Sequence, residues 1–185
     1  MALRYTVAID PGVRGCGVTF GVDKRIVVAT YATGEPNTKV HCGSVWRRMA
    51  GDVNANLLSW KSCCVCNGLL PDEDRQGLAG ELVIELPQVY DPKHQRNGKD
   101  KSDPNDLIQL AATVGAIVGT LDLATTVYLP AEWKGQVPKE IMHERARKRL
   151  SEIELGAVEK GLPRAGLAHN VWDSVAMFLK HVERW

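Results

Sequence analysis

The chain has 185 residues, 44% of them hydrophobic and 24% charged, and a formal net charge of +1. These figures suit a single soluble domain over residues 1–185 with a full-sized core, and they argue against a globally basic DNA-coating protein while leaving room for local basic patches. No run of about 18 apolar residues is present, so no membrane span is expected; "MALRYTVAID" reads as a strand rather than a signal peptide's apolar core, which places the protein in a cytoplasm.

In chain order, Arg4 to Asp10 is predicted as a first strand, Cys16 to Val22 as a second and Arg25 to Tyr31 as a third, with Asp23-Lys24 as a hairpin link. The first strand ends on a charge, Asp10, directly before Pro11-Gly12. Asp before Pro-Gly is ordinary turn chemistry, but it also suits a carboxylate facing another across a shared cation. Gly12, Gly15 and Gly17 read as places where backbone can approach a phosphate closely. After an irregular stretch, Trp46, Met49, Val53, Leu57 and Trp60 recur at helical spacing behind Ser44 as N-cap, predicting a helix from Ser44 to about Lys61. His41-Cys42 and Cys63, Cys64 and Cys66 invite a zinc reading. A helix of that length spans roughly 25 Å and holds the two groups at opposite ends, so the five cysteines are expected as reduced thiols.

"ELVIELP" from Glu81 is a fourth strand, a short apolar run of the kind found in buried parallel sheets. Glu85 lies near its end, where a charge is costly unless paired or metal-bound. A basic loop follows, with Lys93, Arg96, Lys99 and Lys101 against Asp100. Asp103 as N-cap, Pro104 at the first helical position and Asp106 in the first turn begin a helix that runs to Leu121. Its Gly115 and Gly119 point to close packing on a sheet or a second subunit. "TTVYLP" is a fifth strand, followed by a basic helix from Pro138, a short helix from Glu152 to Lys160 and a last helix from Val171 to about Arg184. The apolar stripe of that last helix runs through Trp172, Val175, Leu179 and Val182, leaving Asp173 off its centre, a position usually solvated.

Three consecutive strands followed by alternating strands and helices predict an α/β fold: a mixed five-stranded sheet, three antiparallel strands then parallel ones, flanked by helices on both faces. The first strand would be central, with the fourth beside it through a right-handed crossover. Asp10 and Glu85 then end at one sheet edge, and Asp173 comes within reach if the last helix packs over that edge. Paired carboxylates repel, and one or two Mg²⁺ ions remove the penalty.

Five segments carry a resemblance to a known family: "AIDPGVRGCGV", "VIELPQVY", "KSDPNDLIQLAATVGAIVG", "PAEWKGQVPKEI" and "HNVWDSVAMFL". In this order, and spanning nearly the whole chain, they resemble the RuvC-like Holliday junction resolvases of the RNase H-like superfamily, most closely the phage-type branch. The resemblance implies an RNase H-like fold and a metal-dependent endodeoxyribonuclease that nicks four-way junctions or related branched DNA, leaving 5′-phosphate and 3′-hydroxyl ends, in a cytoplasm that is bacterial, with a cell or a phage as the source. Asp10 matches the first-strand acid, Glu85 the fourth-strand acid and Asp173 the last-helix acid. Where the family usually has an Asp or His three residues before the last acid, this chain has Asn170, a neutral oxygen donor, with His169 beside it.

The implied metal set is Asp10, Glu85, Asp173 and Asn170 around two Mg²⁺ ions, Mn²⁺ able to substitute, with His169 moving a proton at the attacking water. Lys134 and Lys139 fall in the segment where the family carries DNA-contacting lysines. Arg145 and Lys148 extend that basic helix as phosphate contacts, as do Lys93 and Arg96 in the loop. Tyr90 is a candidate for stacking on a base. The implied partners are branched DNA and a second copy of the chain in a two-fold dimer, with the helix from Asn105 to Leu121 as its surface; no membrane and no small-molecule cofactor is expected. The alternatives are a non-cleaving branched-DNA-binding module, with Asn170 marking a weakened site, and a nuclease for forks, flaps or RNA-containing duplexes. Actin-like sugar kinases and ATPases share Asp-Pro-Gly after a first strand, but they need a duplicated domain that 185 residues cannot supply.

Overall fold

The strand that opens the chain, β1 (Arg4–Asp10), is buried from Tyr5 to Asp10 and lies at the centre of a five-stranded sheet. The structure, a computed structural model, describes residues 4–13, 15–33, 42–66, 79–88, 104–135, 137–163 and 166–185. Along the chain follow β2 (Gly15–Val22), β3 (Arg25–Thr33), α1 (Cys42–Cys66), β4 (Ala79–Glu85), α2 (Pro104–Leu121), β5 (Ala124–Tyr128), α3 (Pro130–Trp133), α4 (Lys139–Arg149), α5 (Glu152–Lys160) and α6 (Ala168–His181). The sheet order is β3-β2-β1-β4-β5. β1 pairs antiparallel with β2, and β2 with β3; β1 pairs parallel with β4, and β4 with β5. The β2–β3 hairpin turns at Asp23, whose φ of 52° is one that Asp tolerates better than most residues.

The period of two along each strand divides the core into two layers. Val7 and Ile9 of β1, with Leu82 and Ile84 of β4, pack among Met49, Val53 and Leu57 of α1 and Val114, Ile117 and Leu121 of α2. Ala8 and Val83 face the other way, toward α6 and α4. β2 is the most asymmetric strand. Cys16, Val18 and Phe20 fill the first layer, whereas the alternate positions Gly17, Thr19 and Gly21 let α6 come close. A Cβ on Gly17 would strike the Asn170 carbonyl, and one on Gly21 the Phe178 ring. Between them the Thr19 and Ser174 hydroxyls hydrogen-bond at 2.8 Å. Asn170, Ser174 and Phe178 are spaced four apart on one face of α6, so small residues on β2 set the height of that helix, and Asp173 with it.

The sheet and the order of its strands match the sequence expectation, and several details differ. The last helix starts at Ala168, three residues early, and is buried all along Val171–Leu179 because it lies between the sheet and α4. Asp173 is therefore 1% exposed, not a solvated helix acid. The space at Gly15 and Gly17 is taken by Tyr31 and by α6, and a Cβ on Gly12 would strike the Gly15 carbonyl, so these glycines serve packing within the chain rather than approach to a phosphate. α1 extends over 25 residues, about 37 Å, which separates Cys42 from Cys63 and Cys64 still further. His41 lies outside the described residues. The single turn α3 was not anticipated. No helix among the described residues is long and apolar enough to cross a membrane.

Candidate active site

In the register that pairs Ile9 with Ile84, the next step along two parallel strands is Asp10 beside Glu85. Parallel neighbours in register project to the same face, here the face that carries α6. Asp173, in the second turn of α6, approaches from above. Three carboxylates distant in sequence thus share one sheet edge.

Two further elements close on them. β5 ends beside β4 and leads at once into α3, whose first turn has Pro130 at its start and the Glu132 carboxylate accepting from the Leu129 amide at 2.6 Å. That turn buries Trp133, whose indole N–H donates to Glu85 Oε2 at 2.6 Å, and brings Lys134 Nζ to 3.3 Å from the same oxygen. The ammonium also lies 4.9 Å from the Trp133 ring centroid, a cation–π distance. From α4, Lys139 Nζ lies 3.4 Å from Asp173 Oδ2, and one turn later His143 Nε2 is 2.8 Å from Asp173 Oδ1.

The electrostatics reflect this crowding. Burial pushes the Asp10 carboxyl well above the usual range, and the neighbouring charges of Asp173 and Glu85 push it further; Lys134 and Lys139 offset only part of this. Burial also raises Asp173, but the His143 hydrogen bond and the charges of Lys139 and Lys134 outweigh it, leaving that group below its ordinary value. For Lys134, burial favours the neutral amine, yet Glu85, Asp173 and Asp10 together hold the ammonium above its ordinary pKa. A single ammonium thus lies in the field of all three acids.

No protein-family model matches the sequence, and a search of curated proteins finds no match either. Solved structures do match. Thermus thermophilus RuvC in complex with a Holliday junction substrate superposes with a TM-score of 0.55 at 15% identity, over 96% of this chain and 92% of that one. T. thermophilus RuvC alone superposes with a TM-score of 0.51 at 17% identity and the same coverage. The fold is RuvC-like. At these identities the likeness speaks for the fold, so the chemistry of the site rests on its own residues.

On this RuvC-like fold, no group of three or more His, Cys, Asp or Glu side chains among the described residues is gathered closely enough to hold a metal ion. Glu85 and Asp173 are each closed onto a lysine instead, while Lys134 and Lys139 reach Asp10 as charges. The donor chemistry, three carboxylate side chains within electrostatic reach of one another, is of the type that suits a hard divalent cation.

The remaining expected residues divide. Asn170 abuts Gly12 and Gly17 at the start of α6. His169 is exposed, lines a hollow with Asn170, and stands four residues before Asp173 within α6; the imidazole hydrogen-bonded to Asp173 is that of His143. Arg145 and Lys148 are exposed on α4 and line, with Arg149 and Trp185, a second hollow of about 320 Å³; Lys148 pairs with Glu144 at 2.7 Å. Tyr90, Lys93 and Arg96 lie outside the described residues. Sequence reading missed His143 and Trp133. The signal for His143 was available, since it stands four residues after Lys139 and so shares its helix face. Nothing local marked Trp133, because its partner Glu85 is 48 residues away.

Proposed function

We propose that this protein is a metal-dependent, structure-specific endodeoxyribonuclease that nicks four-way junctions or related branched DNA, leaving 5′-phosphate and 3′-hydroxyl ends. The observation that carries the reading is the convergence of the Asp10, Glu85 and Asp173 side chains on one sheet edge, where burial first and then the charges of Asp173 and Glu85 hold the Asp10 carboxyl above its ordinary range. The RuvC-like fold is consistent with it.

Asp10, Glu85 and Asp173, with the Asn170 side chain as a neutral oxygen donor, are the residues that would hold Mg²⁺ or Mn²⁺; a pair of such ions supplies an activated water and stabilises the departing oxygen. The chain's own part is positioning. Trp133 fixes one oxygen of Glu85, and His143 fixes one oxygen of Asp173. Lys134 and Lys139 neutralise the acids until a cation replaces them, and are then placed to meet the charge that develops on a phosphate. The basic face of α4, with Arg145 and Lys148, would hold flanking phosphates without reading sequence.

A four-way junction has local two-fold symmetry, and two symmetric nicks need two sites, which a two-fold dimer provides. The outer face of α2 is our candidate surface: Gly115 and Gly119 are exposed there, and a Cβ on either meets nothing. Gly115→Leu should then weaken the dimer, read as a lower mass by light scattering at micromolar protein.

The test uses labelled four-way junction, Y-fork and linear duplex, with Mg²⁺ or with EDTA. Paired symmetric nicks in the junction, only with metal, support the proposal. The ion pairs Lys134–Glu85 and Lys139–Asp173 favour a second reading, a branched-DNA-binding module that does not cut. Binding without nicks, unaffected by Asp10→Asn, would establish that one. Cutting of forks but not junctions would redirect the substrate.

A further inference from the structure

Near the C-terminal end of α4, Arg145, Lys148 and Arg149 stand at helical positions i, i+3 and i+4, so one face of the helix gathers three cations. Arg149 is six residues beyond His143, about 9 Å further along the helix axis from the contact with Asp173. These three side chains and Trp185 line the hollow of about 320 Å³, a volume inside the roughly 300–1,000 Å³ of small-molecule sites. Cations at a helix C-terminus complement its dipole, which accounts for the charges but not for the indole among them.

The backbone of both walls is tied down. Arg184, next to Trp185, donates from Nη2 to the Arg149 carbonyl at 2.7 Å and to Glu154 Oε2 at 2.9 Å, and from Nη1 to the Lys24 carbonyl at 2.6 Å. One guanidinium thus joins the end of α4 to the segment that bears the indole. Trp185 is half-buried: it packs against the core layer that contains α6 and lines the hollow as well. A site built in advance avoids the ordering cost that a loose one meets on binding.

The lining chemistry specifies the ligand. Guanidinium groups meet phosphate through paired N–H donors, and an ammonium adds a point charge. Lys148 is paired with Glu144 at 2.7 Å, but both side chains are largely exposed, and such a pair contributes little, so a phosphate can draw the ammonium away. An indole takes a flat ring, and every nucleobase has one. In a duplex the base faces are covered by their neighbours, so duplex DNA would use the cations and leave the indole idle. A single nucleotide, with base face and phosphate both free, uses all four side chains.

We infer that this hollow binds a phosphorylated nucleoside, its base against Trp185 and its phosphate groups on Arg145, Lys148 and Arg149. The source is a free nucleotide or the unpaired, 5′-phosphorylated end of a DNA strand, which present the same groups. The inference goes beyond the nuclease reading and stands without it. Arg145 and Lys148 are also the cations assigned to flanking phosphates, so a nucleotide in the hollow and a duplex on that face would compete.

The test is calorimetry in EDTA, which keeps metal ions off the acidic edge, with ADP, inorganic pyrophosphate and 5′-phosphorylated tetrathymidylate as ligands. Trp185→Leu should weaken ADP about tenfold, within the range of one stacked base, and change pyrophosphate by less than about twofold. Trp185→Phe, which keeps a ring, should recover most of the loss, and melting curves verify the fold of each variant. Arg145→Gln, at an exposed position, should weaken ADP and pyrophosphate alike by about fivefold, the upper end for an exposed charge pair. With that pattern of responses, tetrathymidylate binding more tightly than ADP identifies a strand end as the occupant, and ADP binding as tightly or more tightly identifies a free nucleotide. No binding of either at millimolar concentration, or binding that ignores both Trp185→Leu and Arg145→Gln, would overturn the assignment and leave the nuclease reading untouched. A response to Arg145→Gln alone would mean a phosphate patch without base recognition, which overturns it too.

Discussion

Two buried carboxylates, Glu154 and Asp10, sit at different edges of the same sheet, and their surroundings are opposite. Glu154 on α5 is surrounded by donors. It accepts from the Ile26 amide of edge strand β3 at 2.9 Å, from the Ser151 amide and hydroxyl at 2.9 Å each, and from both ends of the Arg184 guanidinium. Burial alone would raise its carboxyl, but these bonds outweigh it and bring the pKa down to about 2. Arg184 also donates to the Lys24 and Arg149 carbonyls, so one ion pair ties β3, α4, α5 and the C-terminal segment together. Asp10 has other carboxylates as neighbours, and its pKa moves the opposite way. A carboxylate supplied with donors stabilises a fold; one that lacks them and is crowded by its own kind costs stability, and such costs are concentrated where chemistry is done.

Breaking each side should therefore give opposite results. The largest effect expected is from Asp10→Asn: cleavage falls by roughly 10³-fold, equivalent to about 4 kcal/mol of transition-state stabilisation. Stability should move the other way. A carboxyl whose folded pKa is raised costs folding free energy above its unfolded value, and that cost fades as the pH falls. The neutral amide removes it, so the urea midpoint at pH 7 should hold or rise. Near-wild-type cutting by this variant would separate the acidic edge from the reaction.

Glu154→Gln should do the reverse, leaving junction cleavage intact at low temperature while stability drops by about 3 kcal/mol at pH 7. A folded pKa depressed from 4.5 to about 2 contributes stability that is present above 4.5 and lost as the pH falls toward 2. The gap between wild type and variant should close through that window and nowhere above it, as read by urea melts at stepped pH.

The same contrast explains what could be read from the sequence. Strand order, the central place of β1 and the edge shared by Asp10 and Glu85 follow from strand periodicity and crossover handedness, which are local rules. The Gly17, Thr19 and Gly21 face of β2 was visible as small residues, but only α6 lying against it shows that they set the height of a helix rather than admit a phosphate. The burial of Asp173 could not be read from its own helix, because the layer that covers it, α4, contributes almost no apolar stripe: its buried residues are Met142 and Ala146. Trp133 and His143 became site residues through partners 48 and 30 positions away.

His143 gives the next test in size. His143→Ala leaves Asp173 without its 2.8 Å partner and free to turn toward Lys139. Supporting hydrogen bonds of this kind are worth about 10- to 100-fold in metal affinity, so Mn²⁺ binding followed by electron paramagnetic resonance should weaken by that factor. His143→Gln, which keeps a donor, should recover part of it. His169→Ala, by contrast, should leave Mn²⁺ affinity unchanged if the imidazole that matters is the one on α4.

The smallest effect, and the one that most sharpens the comparison, concerns Lys134. Its side chain is 21% exposed and its ammonium lies in the field of all three acids, where, on the proposed function, it holds the place that a metal cation would take. Lys134→Met keeps the stem against Trp133 and removes the charge. Mg²⁺ then no longer competes with an ion pair on Glu85, and calorimetry should show it binding about fivefold more tightly, the upper end of what a partly exposed pair contributes. Cutting should nevertheless slow, because the same ammonium is no longer there to meet the phosphate. Tighter metal with slower cleavage is a combination that a purely structural lysine would not produce; at Glu154, where donors are in surplus and no metal competes, removing the cation Arg184 should cost stability alone.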